Sequence, residues 1–191
     1  MIQVNNVYKS FENKLVLKNF NAKFPVGINA IMGKSGIGKT TLVNIIAGLI
    51  IPDSGEILGV NQKKISIVFQ EDRLIEKENV INNILFPVKN SEENLLKARS
   101  LMNKADLNGL ENKKVKELSG GMKRRVAICR SLMINFDILI LDEPFKGLDE
   151  KTKPAIMDMI KIYSNKIVLL ITHDRREADY LNGNVLEFCN I

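Results

Sequence analysis

The 191-residue chain is 45% hydrophobic and 26% charged, a balance that can bury a core and excludes a disordered tail. No apolar run approaches the roughly 20 residues that span a bilayer, and residues 1–5 carry no charged leader, so neither a membrane span nor a secretory signal is expected. A net charge of +6 raises the question of an anionic partner. The lysines are spread along the chain, however, aromatic residues make up only 6%, and there is no Trp to stack on bases, so no nucleic-acid partner is expected. Cys129 and Cys189 lack metal-type spacing and read as packing thiols in a reducing cytoplasm.

Two strands are predicted within residues 2–24, with Ser10-Phe11-Glu12-Asn13-Lys14 as the turn, forming an antiparallel β subdomain ahead of the core. Pro25 and Gly27 break this pattern before a short apolar strand at 28–32. That strand leads into Gly33-Lys34-Ser35-Gly36-Ile37-Gly38-Lys39-Thr40, a full match to G-x-x-x-x-G-K-[ST], with a helix beginning near Lys39 and running on through the apolar residues after Thr41. Further strands are expected over 56–60 and 65–69, the second ending at Gln70. Residues 71–118 turn polar and helical, with helices over 79–86 and 91–102 separated by Pro87; Ser91 caps the second, and Glu92 and Glu93 complement its dipole.

From Ser119 the pattern alternates again: a helix to about Met133, an unbroken apolar strand over 136–141, a helix over 152–163, a strand over 167–171, a helix over 175–181 and a strand over 185–188. Continuous apolar strands alternating with helices indicate a mostly parallel sheet covered on both faces. The expectation is a single α/β domain of the phosphate-loop NTPase type, spanning 1–191, with a small helical subdomain inserted at about 71–135.

The glycine-rich loop carries the chemistry. Glycines let backbone N–H groups turn toward an anion, the following helix adds its positive end, and Lys39 supplies a point charge. Thr40 can place its hydroxyl on Mg²⁺. The apolar strand ends in Asp142-Glu143-Pro144, at the sheet edge where ligands of open α/β sheets bind. Asp142 is suited to hold Mg²⁺ through its water shell, and Glu143 to polarise a water attacking the γ-phosphate. His173, the only histidine, follows another buried strand and is assigned a γ-phosphate contact. Gln70 offers a neutral oxygen to Mg²⁺ or water. Leu118-Ser119-Gly120-Gly121-Met122 opens a second helix with a polar cap and two glycines, a second anion-binding start.

With two such starts, the chain resembles the ATP-binding subunits of ABC transporters, whose signature is the Leu-Ser-Gly-Gly found at 118–121. The resemblance covers the whole chain and keeps the family's motif order. It implies a head-to-tail dimer sandwiching two ATP molecules, with Ser119, Gly120 and Gly121 of one subunit closing on the γ-phosphate held by the other's Lys39. It makes Gly33 to Thr41 the Walker A loop, including Lys34, Ser35, Gly36, Ile37 and Gly38. Asp142 becomes the Walker B aspartate, Glu143 the catalytic base, Gln70 the Q-loop glutamine, Asp149 the dimer-contact aspartate and His173 the switch histidine. Phe11 falls where the family stacks an aromatic ring on adenine; Tyr8 is nearby, but the spacing favours Phe11. The chain departs from the family at Met122-Lys123-Arg124 and at Lys146-Gly147.

The implied function is Mg²⁺-dependent ATP hydrolysis at the cytoplasmic face of a membrane, driving permease subunits and working with a substrate-binding protein. Residues 69–74 and 79–84 resemble the equivalent region of nitrate, sulfonate and taurine importers. A permease-free ABC ATPase acting on ribosomes or nucleic acid is the alternative; such relatives carry tandem domains, coiled coils or zinc-binding cysteines, none of which is visible here. A kinase or GTPase would share the phosphate loop without needing residues 118–122.

Overall fold

The structure, a computed structural model, describes residues 1–12 and 14–188. Asn13 of the predicted turn and the predicted packing thiol Cys189 lie outside the described residues. In chain order the strands and helices are β1 (Ile2–Phe11), β2 (Lys14–Phe24), β3 (Gly27–Met32), α1 (Lys39–Ile46), β4 (Ser54–Leu58), β5 (Ile65–Val68), α2 (Val80–Leu85) and α3 (Glu92–Lys104). They continue as α4 (Gly120–Ser131), β6 (Ile138–Asp142), α5 (Lys153–Lys161), β7 (Ile167–Ile171), α6 (Arg175–Tyr180) and β8 (Asn184–Glu187).

Two sheets form. The first has the order β2-β1-β4 with antiparallel pairing throughout, so β4 returns to the N-terminal hairpin. The five-residue turn expected at 10–14 is tighter than that. The ladder runs on to Phe11 opposite Lys14, and Glu12 takes a left-handed φ of 51°. A contact distant in sequence accounts for the extension: Asp53 accepts from Lys9 Nζ at 2.7 Å and from the Ser10 N–H at 2.6 Å, holding the end of β1 in register beyond what local propensity indicates.

The second sheet has the order β5-β6-β7-β3-β8, and all its pairings are parallel. Its central strands alternate between two apolar layers, and the few polar residues they bury are bonded: Asn29 of β3 donates to Pro25 O and Gly27 O. Ile138 and Ile140 of β6 pack with Ile2, Val4 and Leu17 of the hairpin and with Leu42 and Ile46 of α1. Leu139 and Leu141 face the opposite way, into the layer built with Ile84 of α2, Met102 of α3, Ile128 of α4 and Ile160 of α5. Cys129 belongs to this second layer, and burial pushes its thiol up to about 12, so it packs as an inert hydrophobe.

The order places the C-terminal ends of β5, β6, β7 and β3 side by side. Gln70, Asp142, Thr172 and the loop after Met32 therefore emerge along one edge. Truncating a residue that holds this arrangement should be costly. Leu139 is fully buried, and Leu139→Ala should lower unfolding free energy by about 2–5 kcal/mol, read from a urea midpoint shift at unchanged slope.

Candidate functional site

The loop between β3 and α1 has no side-chain cap. Gly38 serves as the N-cap in a left-handed conformation, φ 117°, and a Cβ there would lie 2.9 Å from Val16 Cγ1. Both conformation and crowding demand glycine at this point. No acidic residue occupies the first turn of α1, so the positive end of the helix is uncompensated. Lys39 is buried, and its ammonium donates to Gly33 O and Lys34 O, each at 2.8 Å, which bends it back across the loop. An ammonium has three donors, so one remains for a ligand oxygen.

A cavity of about 370 Å³ opens over this loop, lined by Ser35, Gly36, Gly38, Lys39, Thr40 and Thr41 together with Gln70, Asp142 and Glu143. Thr40 Oγ1 donates to Asp142 Oδ2 at 2.8 Å, joining two residues 102 positions apart. Gly33, Lys34 and Ile37 belong to the same loop but line a shallower groove on its outer side, with Phe188.

The two carboxylates differ in environment. Burial raises the Asp142 carboxyl above the ordinary carboxylate range, and the hydrogen bond from Thr40 only partly opposes this. Glu143 takes a left-handed φ of 49°, with its N–H donating to Ile171 O at 3.0 Å. Its Oε2 is buried and makes no hydrogen bond, and its nearest cation is the Lys146 ammonium at 3.3 Å.

Other candidates stand apart from this cavity. His173 is exposed and lines a neighbouring cavity of about 240 Å³, which Glu143 also borders. Its loop is held from behind: Thr172 Oγ1 donates to Glu177 and accepts from the Asp174 N–H at 3.0 Å, while Lys153 Nζ lies 2.6 Å from Glu177. Phe11 is exposed, with Lys9 Nζ 5.4 Å from its ring centre. Asp149 is exposed and accepts from the Lys151 and Thr152 N–H groups at 3.1 and 2.8 Å, a capping arrangement that lowers its pKa. Ser119 caps α4 by accepting from the Met122 N–H at 3.3 Å, and Ser119 and Gly120 are exposed. A Cβ on Gly121 would come within 2.9 Å of Gly147 O, so glycine lets α4 approach the loop after β6.

In the sequence Arg124 stands out only as part of the departure at Met122-Lys123-Arg124, with no role assigned to it. It is buried, and its guanidinium reaches Phe69 O and Asp142 O at 2.6 Å each. The signal was available: Arg124 and Arg125 immediately precede the buried run Val126 to Cys129, so their helix could not leave both arginines in solvent.

A glycine-rich phosphate loop whose threonine meets a strand-end aspartate across a parallel sheet defines a phosphate-loop nucleotide-binding protein. Residues 17–146 match the family model described as ABC transporter, and the chain belongs to that family. It is 32% identical to the taurine import ATP-binding protein TauB of Yersinia pestis bv. Antiqua, over 97% of this chain and 78% of that protein. It is 37% identical to the aliphatic sulfonates import ATP-binding protein SsuB 1 of Shouchella clausii, over 96% and 75%. To the spermidine/putrescine import ATP-binding protein PotA of Mycoplasma capricolum it is 34% identical, over 97% of this chain but only 58% of that longer protein. The fold matches the dimeric structure of MJ0796, a bacterial ABC transporter cassette, with a TM-score of 0.87 at 32% identity, covering 98% of this chain and 95% of that one. The same cassette in a post-hydrolysis state bound to ADP and Pi matches at 0.86.

The raised Asp142 carboxyl has a testable consequence. A folded-state pKa above the unfolded value means the folded chain holds the proton more tightly, so stability falls as pH rises from the ordinary carboxylate value through the raised one. Asp142→Asn should therefore melt at a higher temperature than the wild type at pH 7 without nucleotide, a difference that shrinks on acidification. Thermal unfolding between pH 4 and 7 measures it.

Proposed function

We propose that the chain is the ATP-binding and ATP-hydrolysing subunit that powers a membrane permease of an ABC importer. The observation that carries this is the Thr40–Asp142 hydrogen bond at 2.8 Å, which brings the phosphate loop and the strand-end carboxylates to one cavity with Lys39 and Glu143. Loop N–H groups and the remaining Lys39 donor meet the β- and γ-phosphates of ATP. Mg²⁺, when bound, neutralises charge on those phosphates. Among the described residues no cluster of three or more His, Cys, Asp or Glu side chains forms a ready-made metal site. That fits Mg²⁺, which takes one or two protein oxygens and completes its shell with water and phosphate. Thr40 and Asp142 would supply those oxygens, and Gln70 lines the same cavity. Glu143, which borders both this cavity and the neighbouring one, orients the attacking water and holds its proton.

The separation of the remaining motifs supports a half-site reading. Ser119, Gly120 and Asp149 are exposed, and none lines the phosphate cavity of its own chain. We infer that a second copy, packed head to tail, presents Ser119 to Gly121 to the γ-phosphate, with Asp149 at the seam, His173 entering from the neighbouring cavity and Phe11 stacking on adenine. The relatives named above take taurine, sulfonates and polyamines, so the transported molecule is set by the permease and its binding protein. No helix among the described residues is long and apolar enough to cross a membrane. As the subunit driving a permease, the chain would dock on it from the cytoplasmic face. The whole of 1–191 acts as one ATPase domain, with 71–135 as its helical subdomain.

Affinity capture of a tagged Glu143→Gln chain from detergent-solubilised membranes with Mg-ATP should recover a polytopic membrane protein. Recovery of ribosomal or DNA-bound partners instead would reject the transporter reading. In the purified complex Glu143→Gln should keep ATP binding and hydrolyse it about 10²–10⁴-fold more slowly. Lys39→Ala should weaken ATP binding roughly 10–100-fold, the loss expected for one hydrogen bond to a charged phosphate, measured by calorimetry.

A further inference from the structure

Arg124 sits in the second turn of α4, five residues after Ser119, and is 4% exposed. Nη1 donates to Phe69 O at 2.6 Å, Asp72 Oδ1 at 3.0 Å and Gln70 O at 3.4 Å. Nη2 donates to Asp142 O at 2.6 Å and Glu143 O at 2.8 Å, and Nε to Pro144 O at 3.2 Å. Every nitrogen of the guanidinium is thus engaged, five of the six acceptors being backbone carbonyls. Asp72 is its single charge partner.

The position of those carbonyls is informative. The last registered pair between β5 and β6 is Val68 with Leu141. One residue further on, Phe69 O and Asp142 O are the two acceptors at 2.6 Å, so the guanidinium is inserted where the ladder stops. It binds the two strand ends together without using the side chains of Gln70, Asp142 or Glu143, all three of which line the phosphate cavity. It also holds the Glu143 carbonyl, and with it the left-handed backbone from which that carboxylate projects. Arg130, two turns along the same helix, donates to Asp72 O and Arg73 O at 2.9 Å each, so α4 grips the segment after Gln70 at two points. A buried cation is a poor way to gain stability alone, since an apolar side chain of similar volume does as well or better. Its value lies in geometry: a planar fork can satisfy two strands at once, and a neutral or point-charge side chain cannot.

We propose that Arg124 is a positioning residue that sets the spacing between Gln70 and the Asp142–Glu143 pair and ties it to the Ser119–Gly121 helix start the same chain presents to its partner. The proposal rests on the nucleotide reading above. It assigns to one side chain the rigid link between the half-site a chain keeps and the half-site it offers.

Arg125 supplies the matched control. It is equally buried in the same helix turn, but its guanidinium donates to Ala105 O and Asp106 O at 2.7 and 2.8 Å, on the side away from the cavity. Hydrogen exchange in the full-length, nucleotide-free chain is read first, at the Glu143 N–H and the Lys146 N–H, which donate to Ile171 O and Glu143 O. Arg124→Gln should speed exchange there about tenfold or more, the loss expected for a charge-assisted hydrogen bond, while Arg125→Gln should not. In the complex captured from membranes, Arg124→Gln should cut kcat roughly 10–100-fold with ATP affinity kept, the pattern of a misplaced catalytic group. Arg124→Lys should restore turnover only in part. Wild-type exchange at Glu143 in Arg124→Gln, wild-type turnover, or an equal loss of turnover in Arg125→Gln at equal folded fraction would each overturn the assignment. A wild-type chain that binds no ATP would be recognised before any variant is made, and would remove the nucleotide reading itself.

Discussion

A parallel sheet stops bonding to itself at its C-terminal edge, and the site of this protein is built in the carbonyls and side chains left over there. Strands β5, β6, β7 and β3 end side by side, so Gln70, Asp142, Glu143, Thr172 and the phosphate loop converge from segments far apart in the chain. That edge would be ragged without help, because each strand end has backbone groups that no neighbour accepts or donates to. One guanidinium, that of Arg124, closes the gap between β5 and β6, while the Glu143 and Thr172 N–H groups are taken up by Ile171 O and Ile31 O. Order at the edge is what keeps Asp142 and Glu143 beside the phosphate loop.

Rigidity behind the edge comes from two-sided burial. The strands are apolar on both faces because the hairpin sheet and α1 cover one side and α2 to α5 the other. Neither layer is optional: uncovering one face of β6 would expose either Ile138 and Ile140 or Leu139 and Leu141, all buried. Stiff layers also explain how strain is tolerated at Glu143, whose left-handed backbone is held by Ile171 of β7 and Arg124 of α4.

Exposure separates the candidate residues into two groups. Lys39 and Asp142 are buried and already bonded within the chain, as groups that bind a small ligand in place should be. Phe11, Ser119, Gly120, Asp149 and His173 are exposed, and where they are bonded it is through caps that preset a loop. Such presetting lowers the entropy lost when a second surface closes on them. The similarity to a cassette solved as a dimer is in keeping with this division.

Local chemistry made much of this legible in the sequence. The phosphate loop, the helix starts at Lys39 and Gly120, and the strand ending at Asp142 are written in contiguous residues, since turns, caps and apolar periodicity act over a few positions. The two-faced burial of the core strands was visible in the same way. The tighter hairpin at Phe11 was not, because Asp53 imposes it from 43 residues away. The placement of β4 beside β1, the separation of His173 and Ser119 from the phosphate cavity, and the carbonyls that Arg124 reaches were equally hidden. Those features depend on which strands become neighbours and on which carbonyls are left without a ladder partner. Thus the sequence by itself determined the fold class and the residue types of the site, through short-range propensity and spacing. Only the tertiary structure decided which of those residues share a cavity and which face outward, because long-range pairing and burial are properties of the assembled sheet.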